Sequence, residues 1–249
     1  MARSLRAIVF DFDGVIVDSE SLHHRAYELA LEPFGVREIP HEIYADQFSN
    51  RGIGLEYCAR QVPGIDLHAL KRRKDELFLE ILRRDARLLP CAAGVVRSLA
   101  AEHPLALATG SDRAAAALVL ERFDLLPSFR VLVAREDYAR EKPDPGSFLR
   151  ACALLDEAPT RCLAVEDSYK GLRAARAAGM PCVVVPNDYT RAGDFTGAAA
   201  VLASICELSL QRAEQIHRSH GEAPARDGRR GRSARPRRDL AQRFPPSSS

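Results

Sequence analysis

The sequence lacks any apolar run long enough to cross a membrane. It has 249 residues, no Trp and only two Met, and aromatic residues make up 6% of it. A helix that spans a bilayer needs about 20 consecutive apolar residues. At the amino terminus, Asp11 and Asp13 follow directly behind the apolar residues 7–10, which is unlike a signal peptide. We therefore expect a cytoplasmic protein that has no membrane partner.

Closely spaced cysteine pairs are also absent. The six cysteines are Cys58, Cys91, Cys152, Cys162, Cys182 and Cys206, and no two of them form a C-x-x-C pair. Zinc sites and disulfide frameworks are typically signalled by clustered cysteines. We therefore interpret all six as reduced and mostly buried, where a thiol behaves as a small apolar side chain.

The charge is unevenly distributed along the chain. Apolar residues make up 46% of the sequence, which excludes disorder of the whole chain. Residues 218–249 hold nine Arg against three acidic residues, a net charge of +6, so the other residues carry −4. Pro, Gly and Ser accompany these arginines, and Phe244 is their one aromatic neighbour. This composition predicts a basic, disordered tail that binds polyanions weakly, recognises no specific nucleic acid and is dispensable for whatever activity the rest of the chain has.

Short apolar runs alternate with helical segments after Pro90. Together with the first run, the candidate strands are 7–12, 105–109, 130–134, 162–166, 182–185 and 198–202. The candidate helices between and after them are 112–123, 145–155, 168–178 and 204–216. Strand–helix alternation of this kind predicts an α/β fold with a doubly wound parallel sheet.

The region after the first strand has a different composition. Residues 17–86 are charged, carry apolar side chains at helical spacing and contain no strand-like run. We therefore predict an α/β core domain formed by residues 1–16 and 87–217, a helical domain at 17–86, and the basic tail at 218–249. We find no internal repeat.

Polar groups follow the apolar strands at the points where those strands end. Asp11 and Asp13 follow the first strand, Thr109 and Gly110 the second, and Glu166 and Asp167 the fourth, while Lys142 lies in the loop after the third. In open parallel sheets, ligands bind beyond the carboxyl ends of the strands. We therefore expect these residues to form one site.

The residue types at these strand ends are typical of phosphoryl transfer. Four gathered carboxylates (Asp11, Asp13, Glu166 and Asp167) would repel one another without a cation, and oxygen-only ligands favour Mg²⁺. Thr109 and the backbone N–H groups of residues 110–111, at the start of a helix, form a phosphate cradle to which Lys142 adds a positive charge. An aspartate can itself be the attacking nucleophile.

Four motifs carry a resemblance to a known family. D-F-D-G-V-I-V-D-S-E, A-T-G-S, E-K-P-D-P and V-E-D-S-Y-K-G occur in this order. They resemble the motifs of the haloacid dehalogenase-like hydrolase superfamily, and the resemblance covers about residues 6–210. It implies a Rossmann-like core with a cap domain inserted after the first strand, which matches the helical region at 17–86.

The resemblance also implies roles for individual residues. Asp11 would be the nucleophile that becomes an aspartyl-phosphate, and Asp13 the general acid and base. Mg²⁺ would be held by Asp11, the backbone carbonyl of Asp13 and Asp167, with Glu166 as an outer or direct ligand. The transferring phosphoryl group would be bound by Thr109, Gly110 and Lys142. The acid at position 13 separates phosphatases from the dehalogenase branch, which lacks one there.

Within the superfamily, the sequence is most similar to the β-phosphoglucomutase-like group of sugar-phosphate phosphatases. D-S-E-S-L-H-H-R-A-Y matches the start of that group's cap and places His23 at its hinge histidine. Lys74 would be the cap lysine, and Arg51 the cap arginine that reaches a second phosphate. The sequence departs from the group near residues 48–54, where the expected small residue is not clearly present, and Asp112 stands where the mutase has a phosphate-binding lysine.

These observations predict a Mg²⁺-dependent phosphatase that acts on a small phosphorylated metabolite, such as a sugar phosphate, through an aspartyl-phosphate. Two alternatives stay open, a phosphosugar mutase of the β-phosphoglucomutase type and a catalytically silent phosphometabolite-binding protein. We expect a monomer, because a cap that opens and closes suits one.

Overall fold

The computed structural model describes residues 4–222, with six strands in that range. They are β1 (Ala7–Phe10), β2 (Leu105–Ala108), β3 (Val131–Val133), β4 (Cys162–Glu166), β5 (Cys182–Val184) and β6 (Ala200–Val201). The helices are α1 (Glu20–Leu31), α2 (His41–Ile43), α3 (Gly54–Gln61), α4 (Leu67–Asp85), α5 (Ala92–Ala100), α6 (Arg113–Arg122), α7 (Gly146–Leu155), α8 (Tyr169–Ala177) and α9 (Leu210–Glu222). A π-helix (Tyr44–Asn50) continues α2, and 3₁₀ turns lie at Glu32–Phe34, Leu126–Ser128, Arg135–Asp137, Pro159–Arg161 and Ile205–Glu207.

The strands form one parallel sheet in the order β3-β2-β1-β4-β5-β6. The central strand β1 pairs with β2 on one side, where Val9 lies opposite Ala106, and with β4 on the other, where Val9 lies opposite Ala164. All four residues of β1 are buried, as a strand covered on both faces requires. The predicted doubly wound parallel sheet is confirmed, and its strand order reverses between β1 and β4.

Alternate side chains of β1 enter two separate cores. Ile8 and Phe10 belong to the core that packs against α5, α6 and α9, while Ala7 and Val9 face α7 and α8. Successive side chains of a strand point to opposite faces, so one buried apolar run serves both layers of helices. This packing holds the carboxyl ends of β2, β1 and β4 side by side at one edge of the sheet.

The cap is formed by the helices between β1 and α5. Helices α1 and α4 pack against each other, and Ala30, Leu31 and Leu70 contribute to an apolar cluster of the cap's own. The chain enters and leaves the cap side by side, because Asp18 N–H donates to the Arg87 carbonyl (2.9 Å). Residues 17–86 are all described, and they contain helices and no strand. The π-helix within them was not predicted.

The carboxyl-terminal helix differs from the prediction. The expected helix at 204–216 is a 3₁₀ turn at Ile205–Glu207 followed by α9, which extends to Glu222. The first five residues assigned to the disordered tail, 218–222, are therefore helical, and the rest of that predicted tail lies outside the described residues. Of the described helices, none combines the length and the apolar character that crossing a membrane requires.

The interpretation of all six cysteines as reduced is wrong for one pair. Cys91 and Cys206 form a disulfide, although 115 residues separate them in sequence. The fold brings the 3₁₀ turn that contains Cys206 against the start of α5, and sequence spacing carries no signal for such a contact. The other four cysteines are free and buried, as predicted.

Candidate active site

A cavity of about 280 Å³ opens between the carboxyl edge of the sheet and the cap. The core contributes Asp11, Asp13, Gly110, Ser111, Lys142 and Asp167 to its lining, and the cap contributes residues that include His23 and Lys74. Thr109 is fully buried beneath it. The predicted site residues of the core come together because β2, β1 and β4 are neighbours in the sheet.

Three buried carboxylates lie at the floor of this site. One oxygen from each of Asp11, Glu166 and Asp167 lies within 4.8 Å of the other two. Burial, and secondly the charge of Glu166, raises the pKa of Asp11 to about 7. Burial together with Glu20 and Glu166 raises the pKa of Asp167 well above its ordinary value. A divalent cation would relieve this repulsion among like charges, and the all-oxygen donor set fits Mg²⁺.

Lys142 balances part of this negative charge. Its Nζ lies 2.8 Å from Asp11 Oδ1 and donates to Glu166 Oε1 (2.6 Å) and to the Ala108 carbonyl (2.9 Å). Burial lowers the pKa of Lys142, but the two carboxylates outweigh burial and hold that pKa well above its ordinary value. The side chain is therefore an ammonium that keeps a positive charge beside Asp11.

Two glycines of the motifs leave room for these carboxylates. A Cβ on Gly171 would lie 1.8 Å from Glu166 Oε2, and a Cβ on Gly14 would lie 2.3 Å from Asp167 Oδ2. Gly14 also has a φ of 71°, a backbone conformation that residues with a side chain rarely adopt. The final glycines of D-F-D-G and V-E-D-S-Y-K-G are thus required by the packing around the acidic residues.

Asp13, which we expected to gather with the other three carboxylates, is not part of their cluster and is held by hydrogen bonds of its own. Its Oδ1 accepts from Ser19 Oγ (2.5 Å) and contacts His23 Nε2 (3.1 Å), and its Oδ2 accepts from Ser111 Oγ (2.6 Å) and Thr109 Oγ1 (3.4 Å). Burial favours the neutral acid, but His23 and the hydroxyl donors outweigh it and hold the pKa of Asp13 well below its ordinary range. Asp13 is therefore ionised in this arrangement.

The cap residues His23 and Lys74 extend this network. Lys74 Nζ lies 2.8 Å from His23 Nδ1, and the His23 ring stacks on Phe78 with 3.6 Å between centroids. Burial and the neighbouring Lys74 charge both lower the pKa of His23. We therefore assign a neutral imidazole that accepts from Lys74 at Nδ1 and donates from Nε2 to Asp13.

The structure does not bring Arg51 to the cavity, contrary to our expectation. Its guanidinium lies 3.5 Å from Asp46, and both side chains are more than half exposed (57% and 56%). Arg51 lines a different groove, between the π-helix and the loop around residue 192. The π-helix ends at Asn50 and turns the following side chain outward, a local geometry that the motif spacing did not indicate.

Sequence reasoning missed several polar contacts of the site. Ser19 and Ser111 bond to Asp13, and Asn187 Nδ2 donates to Asp167 Oδ2 (2.8 Å). The two serines lie within the four motifs and could have been included. Asn187 follows β5 outside every motif, so no sequence signal indicated it.

The fold and the acidic site at the carboxyl edge of its sheet define an α/β protein of the Rossmann-like class, and comparisons with known proteins give its family. The family model of haloacid dehalogenase-like hydrolases matches residues 5–179, and the chain belongs to this family. Fructose-1-phosphate phosphatase YqaB from Escherichia coli is 33% identical over 179 residues, covering 72% of this chain and 95% of that protein. Protein CbbY from Cereibacter sphaeroides is 33% identical over 220 residues, covering 82% of this chain and 94% of that protein.

Solved structures agree with these sequence relatives. CbbY from Rhodobacter sphaeroides in complex with xylulose-(1,5)bisphosphate has a TM-score of 0.75 and 30% identity, covering 84% of this chain and 99% of that chain. A β-phosphoglucomutase from Clostridium difficile has a TM-score of 0.72 at 20% identity, and the match covers 87% of this chain and 98% of that chain. This similarity shows that the two proteins share a fold. The resemblance to the β-phosphoglucomutase-like and sugar-phosphate phosphatase group is confirmed.

Proposed function

We propose that this hydrolase removes the phosphoryl group from a small phosphorylated metabolite of the sugar-phosphate class, through an aspartyl-phosphate on Asp11. The observation that carries the proposal is the position of Asp11. Its carboxylate lies at the floor of the cavity, against the Lys142 ammonium and beside two further buried carboxylates. The relatives named as phosphatases support the reaction class.

In the first step, a carboxylate oxygen of Asp11 attacks the phosphorus, and the bond from phosphorus to the sugar oxygen breaks. Asp13 gives a proton to the departing oxygen. Asp13 is ionised in the present arrangement, but a phosphate dianion next to it would raise its pKa and favour the protonated form needed for this step. The products are the free alcohol and the aspartyl-phosphate.

In the second step, Asp13 accepts a proton from a water molecule whose oxygen attacks the phosphorus. The bond from phosphorus to Asp11 breaks, which releases inorganic phosphate and restores the Asp11 carboxylate. The hydrogen bonds from Ser19, Ser111 and His23 keep Asp13 ionised, and so free to accept a proton, and they hold its carboxylate in place.

Asp11, Glu166 and Asp167 would hold Mg²⁺, together with the backbone carbonyl of Asp13 that the family resemblance implies. When bound, the ion supplies positive charge that offsets the charge of the phosphoryl group. Lys142 supplies charge from the protein side and holds Asp11 in place, since it contacts both Asp11 and Glu166.

The charge of the cavity favours a monophosphate substrate over a mutase reaction. A phosphosugar mutase must bind a bisphosphate and therefore needs a second cationic subsite. None of the described residues that line the cavity is an arginine, and its six carboxylates outnumber its four lysines, each of which already has a protein partner. Lys71 pairs with Asp75 (3.0 Å), Lys74 with His23 (2.8 Å), and Lys170 donates to the Phe48 carbonyl (3.0 Å).

The rest of the lining suits hydroxyl-rich compounds. Glu20 and Glu56 supply carboxylate acceptors from the cap, and Tyr27 and Tyr44 supply an aromatic wall. Carboxylates accept hydrogen bonds from sugar hydroxyls, whereas they repel a second phosphate. The same lining argues against the mutase alternative.

A panel of phosphorylated metabolites tests the proposal. With Mg²⁺ present, we expect inorganic phosphate to be released from one or more sugar monophosphates, and Asp11→Asn to abolish release while ligand binding persists. Formation of an isomerised sugar phosphate without phosphate release would support the mutase instead. Binding without turnover in both the natural chain and Asp11→Asn would support the silent binding protein.

A further inference from the structure

The loop that follows β5 connects the acidic site to the cap. We call residues 187–193 the cap-docking loop. At its start, Asn187 uses both ends of its side-chain amide. Nδ2 donates to Asp167 Oδ2 (2.8 Å), and Oδ1 accepts from the backbone N–H of Tyr189 (2.9 Å). One side chain therefore joins a proposed metal ligand to the loop.

The position of Asn187 is closely constrained from the core side. A Cβ added to Gly14 would lie 2.6 Å from Asn187 Nδ2, so the amide packs directly on the backbone of the D-F-D-G motif. Gly14 adjoins Asp13, and Asp167 belongs to the fourth motif. Asn187 thus occupies the space between the first and fourth motifs. A movement of the Asp167 carboxylate would therefore displace the Asn187 amide that is bonded to it.

The loop itself is tightly hydrogen-bonded. Thr190 is fully buried, and its Oγ1 accepts from the Asn187 N–H (3.0 Å). The Asn187 carbonyl in turn accepts from the backbone N–H groups of Thr190 (3.1 Å) and Arg191 (2.9 Å). Because these bonds all converge on Asn187, the asparagine and the tip of the loop are expected to move together.

The tip of the loop docks on the cap. The Tyr189 ring lies against His41 and Tyr44, with centroid separations of 4.5 and 5.7 Å. The Tyr189 carbonyl accepts from Asn50 Nδ2 (3.2 Å), and a Cβ on Gly193 would lie 2.6 Å from Asn50 Oδ1. The loop therefore contacts both α2 and the π-helix at close range.

We infer that Asn187 is a positioning residue that couples metal binding at Asp167 to docking of the cap through Tyr189. The inference rests on the proposed function, because it assumes that Asp167 is a metal ligand. A bound metal ion would hold the Asp167 carboxylate in one position, and the hydrogen bond from Asn187 would then hold the asparagine in place. Asn187 in turn keeps the cap-docking loop in the conformation that packs against the cap. Coupling of this kind is reciprocal, so a docked cap raises the affinity for the metal.

The experiment compares the natural chain with Asn187→Ala and Asp188→Ala. Asp188 is the adjacent loop residue, and its side chain is 76% exposed and pairs with Arg191 outside the connection described here. Mg²⁺ affinity is measured by calorimetric titration. Cap docking is measured by amide hydrogen exchange in residues 44–50, with no Mg²⁺ and with Mg²⁺ at saturation for each variant.

We expect Mg²⁺ to slow exchange in residues 44–50 of the natural chain and of Asp188→Ala. Asn187→Ala should bind Mg²⁺ about 10- to 100-fold more weakly, the usual effect of losing a partner of a metal ligand. At saturation, Mg²⁺ should no longer protect residues 44–50 in this variant. Natural Mg²⁺ affinity in Asn187→Ala, or undiminished protection, would overturn the inference while leaving the proposed function intact.

Tyr189→Ala tests the connection from the cap side and serves if Asn187→Ala does not fold. It keeps the backbone donor to Asn187 but removes the ring that contacts α2 and the π-helix. Mg²⁺ should still bind to this variant without protecting residues 44–50, and protection equal to that of the natural chain would overturn the inference. If the natural chain itself binds no Mg²⁺, both this inference and the proposed function fail.

Discussion

The ammonium of Lys142 lies 2.8 Å from the carboxylate of Asp11, the proposed nucleophile. Both side chains are nearly inaccessible to solvent, with exposures of 6% and 10%. Lys142 also contacts Glu166, so one buried cation serves two buried carboxylates. We therefore expect Lys142 to matter for the stability of the fold as well as for the proposed reaction.

Lys142→Met is expected to destabilise the protein strongly. It would leave the carboxylates of Asp11 and Glu166 without their cation, and breaking a buried pair in this way costs about 3–5 kcal/mol. The measurement is the free energy of unfolding from urea titration at pH 8 without Mg²⁺. Lys71→Met is the matched control, since its partly exposed pair with Asp75 contributes less than about 1 kcal/mol. An equal decrease in the free energy of unfolding in the two variants would contradict the role given to Lys142.

Mg²⁺ affinity is expected to decrease as the pH falls. The pKa of Asp11 without metal is raised to about 7, because burial and Glu166 favour the neutral acid. A raised carboxyl pKa stabilises the folded, metal-free protein at low pH, and this contribution is lost as the pH rises through about 7. Mg²⁺ binds the ionised form, so its stabilising effect must show the opposite trend.

Thermal denaturation with and without Mg²⁺ at pH 8 and pH 6 measures this effect. At pH 8 Asp11 is mostly ionised, whereas at pH 6 Mg²⁺ must displace a proton from it. Because its pKa is about 7, Mg²⁺ should bind about tenfold more weakly at pH 6 than at pH 8. We expect a clearly larger rise in melting temperature at pH 8. Equal Mg²⁺ affinity at both pH values would show that Asp11 does not exchange a proton for the metal.

Gly171→Ala is expected to disrupt the acidic site. The new Cβ would lie 1.8 Å from Glu166 Oε2, so Glu166 would have to move, at a cost of about 1–3 kcal/mol. We expect a lower melting temperature and weaker Mg²⁺ binding. Gly94→Ala is the control, because a Cβ there meets no atom within 4 Å and Ala favours helix α5. Similar behaviour of the two variants would disprove the close approach at Gly171.

Arg51→Ala is expected to leave catalysis nearly unchanged. The guanidinium is exposed, pairs with Asp46 and lines a groove other than the proposed active site. We expect kcat and KM for a sugar monophosphate to stay within about twofold, as surface pairs contribute little. Lys74→Met is the contrasting variant, since Lys74 contacts His23 next to Asp13 and its loss should lower kcat. A large rise in KM for Arg51→Ala would instead indicate that Arg51 contacts the substrate.

Removal of the basic tail is expected to preserve turnover. The helical residues up to Glu222 show that a truncation at 218 would cut into α9, so the chain should end after Glu222. The proposed site residues all precede that point, and we expect an unchanged kcat together with weaker retention on a polyanion column at low salt. A collapse of activity in a variant that keeps its melting temperature would refute dispensability.

The sequence by itself determined the fold class and most of the core site. Short apolar runs and helical spacing reflect local geometry, so the order of residue types alone locates the strands, the inserted helices and the polar residues at the strand ends. Strand β4 spans the predicted residues, and the other five strands are slightly shorter than predicted. The close approach of the carboxylates to the backbone at Gly14 and Gly171 was not predicted, although both glycines lie within the motifs.

Only the tertiary structure decided the contacts between distant segments. The disulfide of Cys91 with Cys206, the outward direction of Arg51, and the link from Asn187 through Tyr189 to the cap depend on how loops and helices pack together. Local periodicity carries no information about such contacts, because the free energy that fixes them comes from packing between segments far apart in the chain. The strand order is of the same kind, and it alone brings Asp11, Thr109 and Glu166 to one edge of the sheet.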